Sequence, residues 1–317
     1  MDIAVASSPD LSVEIPADST SSPPWFEEVL ATPRREGWLD SGDCPIHYFS
    51  WGDPTKPGIL LLHGFLAHSR CFAFIAPLLA KDYYVVAYDF SGMGDSGVRE
   101  KYPDEVRLQE LMDVAQGTGL FDTNHKPTII AHSYGGSIGL LAAEQCHEQF
   151  SGLVICDLMT LRPERLMAHA KEVGPPGSQD ANRPNKIYPD YETAKGRFVL
   201  SPPQKVNEVY LVDYMAYHSL KEVEGGWSWK FHPSVFERAT DLGERLLKQA
   251  KRIANAPGRI VIVYGEQSEL FDADSADYVR ECGGAHIPMI GIPDARHHLM
   301  LDQPVAFACV LKTILAL

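Results

Sequence analysis

Long apolar runs are missing from this chain of 317 residues, and so is any excess of positive charge. Segments such as Gly58-Ile59-Leu60-Leu61-Leu62 fall far short of the roughly 20 residues that span a bilayer, so no membrane partner is expected. Lys and Arg number 28 against 42 Asp and Glu, a formal net charge of −14. Nothing here resembles the clustered cations that grip phosphate, which argues against nucleic acid. Paired cysteine spacing is absent too. Cys44, Cys71, Cys146, Cys156, Cys282 and Cys309 are scattered and read as buried free thiols rather than disulfides or metal ligands. The N-terminus has neither the basic start nor the continuous apolar stretch of a secretory signal. Rich in Ser, Pro, Ala and Asp, residues 1–33 read as a flexible tail, and a cytoplasmic location follows as the default.

What is present is a 45% apolar composition, ample for a full core, and an alternation of short β-type runs with helical stretches. Strands are expected near 34–40, 46–51, 58–63, 83–89, 127–132, 152–157, 258–264 and 286–291. Helices are expected near 70–80, 104–117, 135–147, 239–254, 273–281 and 303–316. The pattern predicts an α/β fold, a mostly parallel eight-stranded sheet with helices on both faces. It is interrupted once. Residues 34–157 and 258–317 form the core, and 158–257 an insertion. The insertion holds a Pro/Gly/Asn-rich link, Gly174 to Asn185, that cannot be continuous helix. Val206, Val209, Tyr210, Tyr214, Tyr217 and Leu220 then recur at helical spacing, a stripe that suits plain core packing as well as a lid. Ten aromatics fall in the insertion: Tyr188, Tyr191, Phe198, Tyr210, Tyr214, Tyr217, Trp227, Trp229, Phe231 and Phe236. A helical cap lying across the carboxyl ends of the strands would use some of them to line an apolar pocket.

The pentapeptide Ala131-His132-Ser133-Tyr134-Gly135 separates the β-type run Thr128-Ile129-Ile130 from a helix-forming stretch, so Ser133 stands at a strand-to-helix corner. Such a corner needs small residues two before and two after its centre, because strand and helix backbones nearly touch there. It lifts a seryl oxygen clear of the sheet and aims the first helical N–H groups, Tyr134 foremost, at an oxyanion beside it. A serine needs a base, and His297 and His298 lie in a loop after the last strand. Upstream, the turn after Leu60-Leu61-Leu62 can present the Phe65 N–H as a second oxyanion donor, with His63 bracing the loop.

These pieces together resemble the α/β-hydrolase fold superfamily from about residue 36 onward. The resemblance rests on His63-Gly64-Phe65, the Asp89 to Ser96 Gly-rich segment, the corner at Ser133, and His297 seven residues before Pro304. It implies that His297 is the base and that the Asp89 to Ser96 turn is structural. The superfamily places a carboxylate three residues past a Gly at the end of the seventh strand, where this chain has Gly265-Glu266-Gln267-Ser268. Ser268 cannot serve. The acid expected is Asp157, which resembles the relocated acid of haloalkane dehalogenases and some lactone-hydrolysing relatives; Glu266 and Glu269 are the alternatives. Dehalogenases and epoxide hydrolases of this fold carry Asp at the corner, so Ser133 implies acyl transfer instead. The expected activity is cofactor-independent hydrolysis of a small hydrophobic ester or lactone, with no metal. Hydrolysis of a carbon–carbon bond in a ring-cleavage dione is the runner-up, with Arg183, Arg197 or Lys195 holding a carboxylate. A ligand-binding receptor with little turnover is the reading from another class. A homodimer is compatible with the sequence.

Overall fold

The computed structural model describes residues 22–173, 183–237 and 242–317. Its strands are β1 (Arg34–Ser41), β2 (Cys44–Trp51), β3 (Gly58–Leu62), β4 (Tyr84–Tyr88), β5 (Thr128–His132), β6 (Gly152–Cys156), β7 (Leu220–Val223), β8 (Gly226–Trp229), β9 (Ile260–Gly265) and β10 (Met289–Ile292). The helices are α1 (Pro24–Leu30), α2 (Ala76–Leu79), α3 (Asp104–Gly117), α4 (Tyr134–Cys146), α5 (Pro163–Val173), α6 (Tyr191–Lys195), α7 (Val209–Ser219), α8 (Leu242–Leu247), α9 (Gln249–Asn255), α10 (Ala273–Glu281), α11 (Leu299–Asp302) and α12 (Pro304–Ala316). Eight strands form one sheet in the order β1-β2-β4-β3-β5-β6-β9-β10. The pairs β1/β2 and β2/β4 are antiparallel and the rest parallel.

Parallel strands require crossovers that cover both faces, so β3 and β4 are buried throughout and read as unbroken apolar runs. Alternate residues then serve different layers. Ile59, Leu61, Val85 and Ile130 join one core with Phe72, Phe307 and Leu311, whereas Leu60, Leu62, Val86 and Ile129 join the other with Leu111, Ile138 and Leu140. Register decides what meets at the carboxyl edge. Leu62 lies opposite Ala131 and His132 opposite Cys156, so His63, Ser133 and Asp157 leave their strands side by side.

The eight expected strands are those observed. Differences lie elsewhere. Residues 24–33 do not behave as a tail, because α1 buries Phe26 and Leu30; residues 1–21 lie outside the described part. The expected helix at 70–80 breaks into a 3₁₀ turn (69–72) and α2, since Pro77 has no N–H for a continuous ladder. The link from Gly174 to Asn182 is outside the described residues. The insertion is not wholly helical either: β7 and β8 form a hairpin closed at Glu224-Gly225, with Gly225 at φ +87° and Gly226 at φ +138°. A Gly-Gly step between β-forming residues was the available signal. All six cysteines are free, but only Cys44, Cys71 and Cys156 are buried; Cys146 and Cys282 are half-buried and Cys309 is exposed on α12. No described helix is long and apolar enough to cross a membrane.

Beneath the Gly-rich turn, fully buried His47 of β2 places Nδ1 2.8 Å from Asp89 Oδ2 and Nε2 2.9 Å from Glu36 Oε1. Burial alone would push this imidazole down, yet the two carboxylates outweigh it and lift its pKa to about 9. A pKa raised above the unfolded value of 6.5 contributes stability that is complete below pH 6.5 and is lost as pH climbs through about 9. His47→Gln takes the cation away from Asp89 and leaves Glu36 with Arg70 at 3.4 Å, and is expected to lower stability at neutral pH by about 3 kcal/mol. Urea midpoints measured across that window should fall more gently for the variant than for wild type; parallel slopes would remove His47 as the cause.

Candidate active site

Only one residue separates β5 from α4, and it must reverse the chain. Ser133 does so at φ 52° and ψ −120°, a backbone state that costs about 1–3 kcal/mol and persists where the surroundings over-determine it. Its N–H donates to Cys156 O at 2.9 Å, and its carbonyl accepts from Gly136 N–H at 2.8 Å. Gly135 is obligatory. A Cβ there would lie 2.7 Å from Leu62 O and 2.8 Å from His63 O, so the start of α4 touches the end of β3.

His297 reaches Ser133 from the loop before α11. Its Nε2 lies 2.9 Å from Ser133 Oγ and its Nδ1 2.8 Å from Asp157 Oδ1, with His297 and Asp157 both buried. Asp157 follows β6 at φ 51°. Burial raises its carboxyl pKa above the ordinary aspartate value, while hydrogen bonds from His297, the Gly265 N–H (3.0 Å to Oδ2) and the Ser268 hydroxyl (2.7 Å to Oδ1) favour the charged form. Ser268, the residue three past Gly265, thus donates to the carboxylate that follows β6. Glu266 and Glu269, the alternative acids, are both exposed and His297 bonds neither. The Glu266 side chain lies over Gly291 of β10 instead, within 3.0 Å of where a Cβ would stand.

The loop carrying His297 is clamped on both sides. Arg296 N–H donates to Asp302 Oδ2 at 2.6 Å, and His298 N–H donates to Gln204 Oε1 at 3.0 Å. Gln204 Nε2 in turn donates to the same Asp302 oxygen at 2.9 Å, so one side chain of the insertion ties the two clamps together. His298 also bonds Pro202 O through Nε2 at 3.2 Å.

The turn after β3 closes over Ser133: a Cβ on Gly64 would come within 3.3 Å of Ser133 Cβ. His63 braces this turn with Nδ1 2.7 Å from Gly64 O and Nε2 accepting the Phe90 N–H at 3.0 Å. Burial lowers its pKa to about 4, so it stays neutral and suits this structural part. Tyr134 opens α4, where its N–H has no acceptor within the helix. The Tyr134 ring packs edge-on against Phe65 at 5.7 Å, and its hydroxyl accepts from buried Arg107 at 3.1 Å. Arg107 was not singled out from the sequence; its buried partner Glu110, 3.0 Å away at (i, i+3), is the only local sign of it.

A cavity of about 270 Å³ opens beside this turn. Gly64, Phe65 and His132 line it, and the insertion contributes Phe198, Met215, Trp229 and Phe231 among others. Tyr210 and Tyr214 of the α7 stripe instead pack on Phe26, the core-packing alternative. Ring nitrogens of His132, His297 and His298 lie close enough to hold a metal ion, as do His47, Asp89 and Asp95. In the first set every histidine already makes a hydrogen bond: His132 Nε2 to His297 O at 2.8 Å, His298 to Pro202, and His297 through both nitrogens. A metal there would displace Ser133 or Asp157 from His297.

Compared with known proteins, the chain matches the model described as "Alpha/beta hydrolase family" over residues 59–308. It is 26% identical over 275 residues to the 3-hydroxybutyrate-oligomer hydrolase of Cupriavidus necator, covering 82% of this chain and 89% of that protein. A shorter match, 29% identical over 126 residues, joins 38% of it to 33% of epoxide hydrolase 3 from Xenopus tropicalis, so the chain spans about a third of that relative's length. Among solved structures, E-2-(acetamidomethylene)succinate hydrolase superposes with a TM-score of 0.72 over 90% of this chain and 100% of its own at 17% identity, a likeness of fold alone.

Proposed function

This chain belongs to the alpha/beta hydrolase family, and from that premise we propose that it is a serine hydrolase of carboxylic esters or lactones, acting through an acyl-enzyme. The observation that carries the reading is a single imidazole bonded at once to Ser133 Oγ and Asp157 Oδ1. In the proposed cycle Ser133 Oγ attacks the carbonyl carbon as its proton passes to His297 Nε2. Asp157 holds the other nitrogen protonated and steadies the imidazolium. The Phe65 and Tyr134 N–H groups receive the oxyanion, each donor worth about 2.7–4 kcal/mol in the transition state. His297 returns the proton to the leaving oxygen, then activates a water that frees the acid and Ser133.

A hydroxyl rather than a carboxylate at the corner supports acyl transfer, because a covalent ester to an aspartate is the alternative chemistry of that position. The relative matched along most of its length is a 3-hydroxybutyrate-oligomer hydrolase, in line with an ester bond as target. Residues 158–257 would act as the lid over an apolar cavity. Assays of para-nitrophenyl esters and lactones beside a ring-cleavage dione, with fluorophosphonate labelling, test the reading. Ester cleavage with labelling at Ser133 supports it. Depletion of the dione with esters untouched, or an unlabelled Ser133, overturns it.

Gln204 is a positioning residue on this reading. Gln204→Leu removes the link between both peptide clamps around His297, and a misplacement of under 1 Å suffices to slow proton transfer. We expect kcat on a nitrophenyl ester to fall about 10-fold with KM within about 2-fold; a change confined to KM would place Gln204 in substrate binding instead.

A further inference from the structure

Three imidazoles converge where the end of β5 meets the loop before α11. One ring nitrogen each of His132, His297 and His298 lies within 4.8 Å of the others. The rings are packed together, with centroids 4.8 Å apart for His132 and His297 and 4.9 Å for His297 and His298. Of the three, only His297 has a part in the proposed cycle.

Their hydrogen bonds fix where each proton sits. A carbonyl only accepts, so His132 carries its hydrogen on Nε2, 2.8 Å from His297 O, and His298 carries its own on Nε2, 3.2 Å from Pro202 O. Nδ1 of each ring therefore keeps a lone pair. His297 donates from Nδ1 to Asp157 Oδ1 and keeps its lone pair on Nε2, toward Ser133 Oγ. Each ring thus has one nitrogen anchored to a carbonyl or carboxylate oxygen and the other unprotonated. Metal-binding histidines are held in this way, the outer bond fixing the tautomer and making the inner nitrogen more basic. His132 and His298 line the cavity, which gives an ion its way in. His132 Nδ1 also lies close to the nucleophile: a Cβ on Gly64 would come 3.1 Å from it and 3.3 Å from Ser133 Cβ. The cluster of His47, Asp89 and Asp95 lacks this arrangement, since both His47 nitrogens are already bonded to carboxylates.

A set of three imidazoles suits Zn²⁺, whereas Mg²⁺ and Ca²⁺ prefer oxygen. Bonds of about 2.0–2.1 Å put tetrahedral nitrogens roughly 3.4 Å apart, so the rings close by no more than about 1.4 Å to share the ion. His297 Nε2 can hold a metal or accept the Ser133 proton, not both.

We propose that His132, His297 and His298 form an inhibitory Zn²⁺ site, in which the ion takes His297 Nε2 away from Ser133. The inhibition rests on the serine hydrolase reading; the binding does not. Calorimetric titration of the full chain with Zn²⁺ should show a saturable site. His132→Asn and His298→Asn should each weaken it by at least the roughly 10- to 100-fold that loss of an outer-shell partner costs. His125→Gln, an exposed histidine ahead of β5, should bind as wild type does. Ser133→Ala frees His297 Nε2 and should bind Zn²⁺ at least as tightly as wild type. In the wild-type enzyme Zn²⁺ should slow both nitrophenyl-ester cleavage and fluorophosphonate labelling of Ser133; EDTA should restore them, and Mg²⁺ at the same concentration should leave them unchanged. In His298→Asn the Zn²⁺ concentration for half-inhibition should rise by the same factor as the Kd. Absence of saturable binding, affinity indifferent to His132 and His298, or weaker binding by Ser133→Ala overturns the assignment. So does Zn²⁺ that binds through these residues and leaves labelling as fast as before. A chain unlabelled even without Zn²⁺ fails the serine hydrolase reading alone, and the titrations still decide the site.

Discussion

Alanine at position 133 is expected to remove ester turnover almost completely. Loss of a nucleophile in this kind of triad lowers kcat by about 10⁴-fold or more, because the remaining oxyanion donors and binding contacts cannot replace the covalent step. Steady-state rates read the drop, and fluorophosphonate labelling should vanish with it. The substitution deletes one oxygen and keeps a Cβ, so the positive φ of 52° remains as strained as before and stability should change little. Glycine at the same position should be equally inactive yet more stable by about 1 kcal/mol, since it adopts such a backbone without penalty. That opposition of stability and turnover is what a corner built to hold a nucleophile predicts. Residual kcat above about 1% of wild type in both variants would end the acyl-enzyme account.

The second large effect concerns the acid. Asp157→Asn keeps shape but offers an amide to His297 Nδ1, favouring the wrong tautomer and leaving an imidazolium unsupported. A fall in kcat of about 10⁴-fold is expected, with KM nearly constant. Ser268 and His297 both bond Asp157 Oδ1, at 2.7 and 2.8 Å, so the Ser268 side chain stands beside the same oxygen that holds the imidazole. A carboxylate placed there in Asp157→Asn/Ser268→Asp should recover about 10-fold or more of the lost kcat by approaching His297 from the other strand. Ser268→Asp alone should instead be harmful, since two carboxylates in one buried space cannot both ionise. A double variant no better than Asp157→Asn would mean that position 268 cannot reach the imidazole. An Asp157→Asn enzyme of wild-type rate would move the acid elsewhere altogether.

Ser133 and His297 are legible in the sequence because each is marked by its neighbours: the small residues around a corner, the spacing to Pro304. Backbone geometry leaves such traces locally. Asp157 is less legible: the sequence shows that Ser268 carries no charge, but the choice of Asp157 over Glu266 and Glu269 depends on β6 and β9 lying side by side, which no local pattern records. The sheet is read well because strands covered on both faces must be continuously apolar. Gln204 and Arg107 escape altogether; each works by a hydrogen bond across a long sequence separation, and a lone polar residue carries no periodic mark. In α1 the signal is present, with Trp25, Phe26, Val29 and Leu30 at helical spacing, but the Ser- and Pro-rich composition before it masks a helix of seven residues.

That helix also changes where the molecule begins in a physical sense. Phe26 sits 5.0 Å from Tyr210 and 5.6 Å from Tyr214, edge to face, with Phe74 at 5.7 Å. One ring from ahead of the sheet therefore ties α7 to the layer behind it. A shortened chain starting at Arg34 would keep Ser133, Asp157 and His297 while losing the ring that packs against Tyr210 and Tyr214 of α7.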